Sequence, residues 1–231
     1  MDTQLRLVVL CCSLIILLGA ALCPLCMRML GSWRGRGCPY RGPYVDQGGE
    51  GLSVTFNDTR RLFYQRTQGQ TIEVYKSPYL GKLLVIDGDI QFCEVDEANY
   101  HEMMVHVPLA YNHRRHDTSV LIIGGGDGGA LREVCRYARV GRVVLVDVSK
   151  DVINVCQRFF PQHAAGAFDD PRVRLVIGDA ADFLASGDAG VATFDVVLVD
   201  LTDQGLSDSV FTETVTQGLK RCLRPDGVVV R

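Results

Sequence analysis

No excess of basic charge runs through this chain. Its 24 Lys and Arg stand against 27 Asp and Glu, a net charge of -3, which removes the electrostatic ground for a nucleic-acid partner. A disulfide framework is also missing. Five of the nine cysteines lie in the first 38 residues (Cys11, Cys12, Cys23, Cys26, Cys38). The other four (Cys93, Cys135, Cys156, Cys222) fall mostly in apolar runs, where cysteine acts as a small hydrophobe. Reduced thiols are therefore expected. Metal-ligand spacing is absent too. Cys23-Pro-Leu-Cys26 has no second pair, and reads as apolar packing or a palmitoylation site. His101 and His106 are five apart, so at ~100° per residue they point ~140° from each other on a helix. No metal site is expected.

Charge is lacking altogether from Leu7 to Met27. That run matches the ~20 residues that span a bilayer as a helix. Arg28, Arg34, Arg36 and Arg41 follow it, which predicts a membrane anchor over residues 1–30 with the rest of the chain facing the cytosol. The rival reading is a cleaved secretory signal or an organelle-targeting segment, with small residues at Ala20-Ala21. Residues 31–51 hold seven glycines, two prolines and no apolar period, and read as a Gly/Arg-rich linker.

What is present begins at residue 52. Thr71–Tyr75 and Lys82–Ile86 are β-like runs bounded by turn signals, so 52–117 predicts a small antiparallel β domain followed by a helix. Asp96 is placed to cap that helix and Pro108 to stop it near Val107. From Ser119 strands and helices alternate: strands at 119–124, 142–147, 172–177, 194–200 and 227–231, helices at about 129–138, 150–160, 180–186 and 209–223. The fold class is α/β, with a doubly wound parallel sheet over 118–231.

The pivotal stretch is Val120-Leu-Ile-Ile-Gly-Gly-Gly-Asp-Gly-Gly-Ala-Leu-Arg-Glu133. It reads as a buried strand, a glycine turn and a helix start. Gly124-x-Gly126-x-x-Gly129 also satisfies a dinucleotide fingerprint, with Asp147 after the next strand for a ribose. Asp127 speaks against a pyrophosphate, because a carboxylate sits where the phosphate would lie. A ligand with a ribose, no phosphate and a cationic centre fits better, as an adenosyl-sulfonium has. Asp127, Asp147, Asp179 and Asp200 all fall at strand carboxyl ends, with Asp203 close behind. Read singly they are helix caps; read together they form an acidic rim for a cation.

On these residues the chain resembles the polyamine aminopropyltransferases, the spermidine and spermine synthase family. The glycine stretch carries most of the likeness. Gln70-Thr-Ile-Glu, Leu84-Val-Ile-Asp-Gly88, Ile90-Gln91, Asp96-Glu97, Tyr100-His-Glu102, Gly178-Asp179 and Asp200-x-x-Asp203 support it. The Asp-Leu-Thr-Asp form and the apolar N-terminus are closer in style to the membrane-associated branch.

The resemblance implies a small β domain before a methyltransferase-like Rossmann sheet. It implies transfer of an aminopropyl group from decarboxylated S-adenosylmethionine, a co-substrate and not a cofactor, to putrescine or spermidine. Gln70, Gly124, Gly126, Asp127, Asp147, Asp179 and Ala180 would surround the donor. Asp147 would take the ribose hydroxyls, Asp179 the adenine amino group and Asp127 the aminopropyl ammonium. Gln91, Tyr100, His101, Asp127, Asp200 and Asp203 would line the amine site, with Asp200 as the catalytic acceptor. A homodimer is the implied assembly, and a further helix and strand pair are expected beyond Arg231. Asp147, Ser149, Ala180, Leu201 and Gln204 depart from the usual residues and leave the acceptor amine open. Two other readings are a methyltransferase on the same fold and a non-catalytic, membrane-tethered polyamine or nucleoside binder.

Overall fold

The computed structural model describes residues 42–46, 54–67, 69–112, 116–201 and 212–231. The expected anchor over 1–30, Cys23 and Cys26, Asp203 and Gln204 lie outside the described residues. Among the described residues no helix is long and apolar enough to cross a membrane. The chain divides into two units at Tyr100/His101.

The N-terminal unit holds one antiparallel sheet. Its strands are β1 (Gly42–Asp46), β2 (Val54–Arg66), β3 (Thr71–Ser77), β4 (Gly81–Ile86) and β5 (Asp89–Cys93), in the order β1-β2-β3-β4-β5. Alternation in β3 buries Ile72 and Val74 completely, as a half-buried strand requires. Leu83, Val85, Cys93 and Tyr44 form a cluster on this sheet. β1 lies inside the stretch expected to be a linker. It pairs with β2 because ladder bonds need only backbone. Tyr44 secures it, with its ring buried and its hydroxyl donating to the Gly88 carbonyl at 2.5 Å. The 13 residues of β2 were not foreseen as one strand, since β2 buries only Thr59 fully and so shows little period.

Helix α1 (Glu97–Tyr111) runs across the division and continues through Pro108. The expected stop at Pro108 is therefore corrected. A proline this close to the end removes a single bond, to the carbonyl of Met104. Burial of Met104, Val105, Pro108 and Leu109 offsets that loss, and Asn112 N still donates to the Pro108 carbonyl at 3.0 Å.

The C-terminal unit is built on a five-stranded, all-parallel sheet. In chain order it contains β6 (Thr118–Gly124), α2 (Gly129–Cys135), β7 (Val140–Asp147), α3 (Lys150–Phe159), the single turn α4 (Pro161–Ala164), β8 (Val173–Ile177), α5 (Ala180–Ala185), β9 (Phe194–Asp200), α6 (Glu213–Cys222) and β10 (Leu223–Val230). The strand order is β10-β9-β6-β7-β8. Residues 120–123, 143–146 and 196–199 are buried as continuous apolar runs, the mark of strands covered on both faces. Succession passes from β6 outward through β7 and β8, then returns to β9 on β6's other side. The switch point therefore lies between β6 and β9, where such sheets open a crevice at their carboxyl ends.

Candidate active site

The crevice is floored by main chain. Gly124 is in register with Asp200, and Gly125 N donates to the Asp200 carbonyl at 2.8 Å. A side chain at 124 is impossible: φ is +79° and a Cβ would lie 1.9 Å from that carbonyl oxygen. Gly126 lets the turn reach the next strand end, its N–H donating to Asp147 Oδ2 at 2.9 Å. The other oxygen, Asp147 Oδ1, accepts from Ser149 N at 2.7 Å. Both oxygens are thus anchored, yet each keeps a lone pair for a further donor. Burial pushes the Asp147 carboxyl above its ordinary range. The two backbone bonds oppose that and the charge of Asp127 adds to it.

Asp127 stands between these two strand ends. Its Oδ1 accepts from Gly129 N at 2.6 Å and occupies the place where a phosphate oxygen would sit. Two buried histidines flank it, His163 with Nε2 at 3.0 Å and His101 with Nε2 at 3.6 Å from the same oxygen. Burial alone would raise the Asp127 carboxyl, but His101 and His163 outweigh it and hold the group well below the carboxylate range. Asp127 is therefore an anion in this site. Beneath it the thiol of Cys156 is driven up, first by burial and then by Asp127 and Asp147. That sulfur is inert packing, and the four described cysteines are all free thiols.

His101, Asp127 and Asp200 each bring one ligand atom to within 4.8 Å of the others. Two carboxylates and an imidazole at that spacing suit a cation, metal or ammonium. His106 goes elsewhere, to Glu133 Oε2 at 3.2 Å and the Tyr137 hydroxyl at 2.8 Å, so the two histidines of α1 serve different neighbours. Glu102, His106 and Glu133 also lie close enough for a metal. However, Arg132 and Arg136 already pair with Glu133 at 2.7 Å each, which neutralises that cluster.

The expected residues are distributed over both units. Gly124, Gly126, Asp127, Asp147, Asp200 and His101 meet at the switch point. Asp179 is exposed after β8 and acts as the cap of α5, accepting from Ala181 N at 2.6 Å and Asp182 N at 3.4 Å. Ala180 opens that helix. Gln70, Gln91 and Tyr100 belong to the N-terminal unit. Gln70 closes the β2–β3 turn with Thr67, and the Gln91 amide donates to the Asp89 carbonyl at 3.1 Å. His163 was missed by sequence reasoning. It lies 36 residues from Asp127 in a one-turn helix, and the only local hint was Pro161 opening that turn.

A family model described as the spermine/spermidine synthase domain matches residues 97–231, and one described as the spermidine synthase tetramerisation domain matches 45–94. Polyamine aminopropyltransferases of Escherichia coli O1:K1 / APEC and of Shigella boydii serotype 18 are each 42% identical to this chain over 171 residues. The match covers 73% of this chain and 57% of each relative. The chain thus spans little more than half the length of these curated relatives. Among solved structures, a spermidine synthase from Thermotoga maritima superposes with a TM-score of 0.74 at 31% identity, covering 87% of this chain and 66% of that one. A spermidine synthase bound to the transition-state analogue AdoDATO gives 0.75 at 31% identity, covering 87% and 67%.

Proposed function

Since the chain belongs to the spermine/spermidine synthase family, we propose that it transfers an aminopropyl group from decarboxylated S-adenosylmethionine to a polyamine acceptor and releases methylthioadenosine. The observation that carries this is the cluster of Asp127, Asp200 and His101 at the switch point, beside Asp147.

Each group has a chemical task under this reading. Asp147 takes the ribose hydroxyls through its remaining lone pairs. Asp127, held as an anion, attracts the ammonium that decarboxylation leaves on the donor and repels the carboxylate of the commoner metabolite. The acceptor amine arrives protonated, with a pKa near ~10.4 if it resembles lysine. It must shed that proton before its lone pair attacks the methylene beside the sulfonium. Asp200 receives the proton, and Asp203 steadies the far cationic end of the amine. The C–S bond breaks as the C–N bond forms, and neutral thioether leaves. Alignment of the two reactants supplies much of the remaining acceleration. The sulfonium is already a good leaving group, so the reaction as proposed draws on no metal ion. For Gln70, Gln91, Tyr100, Asp179 and Ala180 the binding roles implied by the resemblance stand as part of the same proposal.

The test is direct. The full chain is incubated with decarboxylated S-adenosylmethionine and a panel of diamines and polyamines, and products are weighed by mass spectrometry. Methylthioadenosine with an aminopropylated amine supports the reading. A methylated product from S-adenosylmethionine, or binding without turnover, overturns it.

Two finer assignments belong to this proposal. A membrane anchor over 1–30, with the catalytic unit in the cytosol, rests on the uncharged Leu7–Met27 run and the arginines after it. Protease protection in sealed vesicles tests it. Assembly into a homo-oligomer, a dimer or higher, rests on the match of 45–94 to a tetramerisation domain.

A further inference from the structure

Every hydrogen bond and ion pair that Asp127 makes among the described residues falls on Oδ1: Gly129 N at 2.6 Å, His163 Nε2 at 3.0 Å and His101 Nε2 at 3.6 Å. An ionised carboxylate only accepts hydrogen bonds, so the hydrogen of the His163 contact is on Nε2. Loading one oxygen in this way fixes the rotamer and leaves Oδ2 for an incoming cation.

His163 is itself held from several sides. It is 5% exposed, and its ring meets the His101 ring edge-on at 5.1 Å between centroids. Its carbonyl accepts from Arg132 Nη1 at 2.8 Å. Pro161 opens its turn, and Ala165 and Gly166 close it in left-handed conformations at φ 45° and 79°. The turn fits against Gly128, where a Cβ would stand 2.7 Å from Ala164 Cβ. No step proposed above uses His163.

We propose that His163 is a positioning residue of the donor site, orienting Asp127 through its Nε2–H so that Oδ2 meets the donor's ammonium. The residue type suits the task. A lysine or arginine at this place would bring a long, flexible side chain with no fixed direction for its hydrogen bond. An imidazole supplies one N–H from a rigid, buried ring whose orientation the turn already fixes. This inference rests on the donor-site reading above, and its test separates the two.

In the full chain, His163→Leu and His163→Gln are compared with wild type by calorimetry. The ligands are decarboxylated S-adenosylmethionine and methylthioadenosine, which lacks the ammonium. His163→Leu is expected to weaken the decarboxylated donor by about tenfold or more and to leave methylthioadenosine affinity unchanged. His163→Gln, which keeps an N–H, recovers most of the loss. Unchanged donor affinity overturns the proposal, and so does an equal loss for both ligands, which marks a purely structural role. Ring-nitrogen NMR of labelled histidine supplies a readout that needs no ligand. It should place hydrogen on His163 Nε2 and show a changed His163 pattern in Asp127→Asn; a bare Nε2 overturns the positioning role outright. Wild-type protein that binds neither compound while keeping the His163–Asp127 contact overturns the donor-site reading, and the role of His163 in it, but not the contact.

Discussion

Gly126 and Gly129 show how closely single residues are specified here. A Cβ on Gly126 would lie 2.6 Å from the Asp147 carboxylate, and one on Gly129 would lie 2.5 Å from the His101 ring. Gly129→Ala is therefore expected to displace His101 from Asp127. It should lower stability by about 1–3 kcal/mol, read from urea midpoints, and cut turnover; full activity would contradict the site geometry. Asp200→Asn is expected to reduce the transfer rate by about 10²-fold or more while methylthioadenosine still binds. Acid sensitivity also belongs at this scale. Arg172 hydrogen-bonds the Asp170 carboxyl and holds it down at about 2, and Glu133 is likewise lowered because Arg132 and Arg136 outweigh its burial. A carboxyl lowered on folding stabilises the protein above its unfolded pKa of ~3.9 and loses that contribution as pH falls toward the folded value. Unfolding midpoints should drop between about pH 4 and pH 2, and Asp170→Asn should flatten part of that drop. Superimposable pH curves for the two proteins would refute the assignment.

At the scale of elements, the parallel sheet is tied by buried charge as well as by ladders. Asp195 in β9 is fully buried, and its Oδ2 accepts from Ser119 N in β6 at 2.8 Å and from Arg224 Nη1 in β10 at 2.7 Å. Asp195→Ala leaves that guanidinium and amide short of a partner and is expected to cost about 3–5 kcal/mol in chemical denaturation. A cost below 1 kcal/mol would show the pair to be peripheral. The α5 cap separates two roles of one acid. Asp179→Ser keeps an oxygen for Ala181 N, so stability should stay near wild type. Any fall in donor affinity then reports ligand binding by the carboxylate, and unchanged affinity leaves Asp179 a cap alone. Arg172 has a related duty across elements, donating to the carbonyls of Cys135, Tyr137 and Val140 at 2.7–2.9 Å. It thereby fastens the end of α2 to the start of β7.

For the whole molecule, the proposed chemistry belongs to the switch between β6 and β9, and the proposed assembly belongs to the antiparallel sheet. β2 is exposed along much of its length, and it lies within the segment matched to a tetramerisation domain. Light scattering on the full chain is expected to give a mass above one chain. Several charges of one sign placed on the exposed positions of β2 should lower it by repulsion between copies, and a monomer at all concentrations would remove the proposed assembly.

Much of this was legible from short windows of sequence. Continuous apolar runs marked the buried parallel strands, and five glycines around Asp127 marked the turn. Acids at four strand ends marked the rim, because periodicity and turn chemistry act over a few residues. β1 was not legible, since pairing through backbone leaves no apolar period, and neither was the passage of α1 through Pro108, which depends on what the last turn buries. Asp179 looked equal to Asp127, yet one is an exposed cap and the other an anion between two buried imidazoles. The sequence alone determined which residue types stand at each strand end. Only the tertiary structure decided that His163, 36 residues away, closes on Asp127, because that contact depends on the path of the chain through α3 and α4 and not on any local pattern.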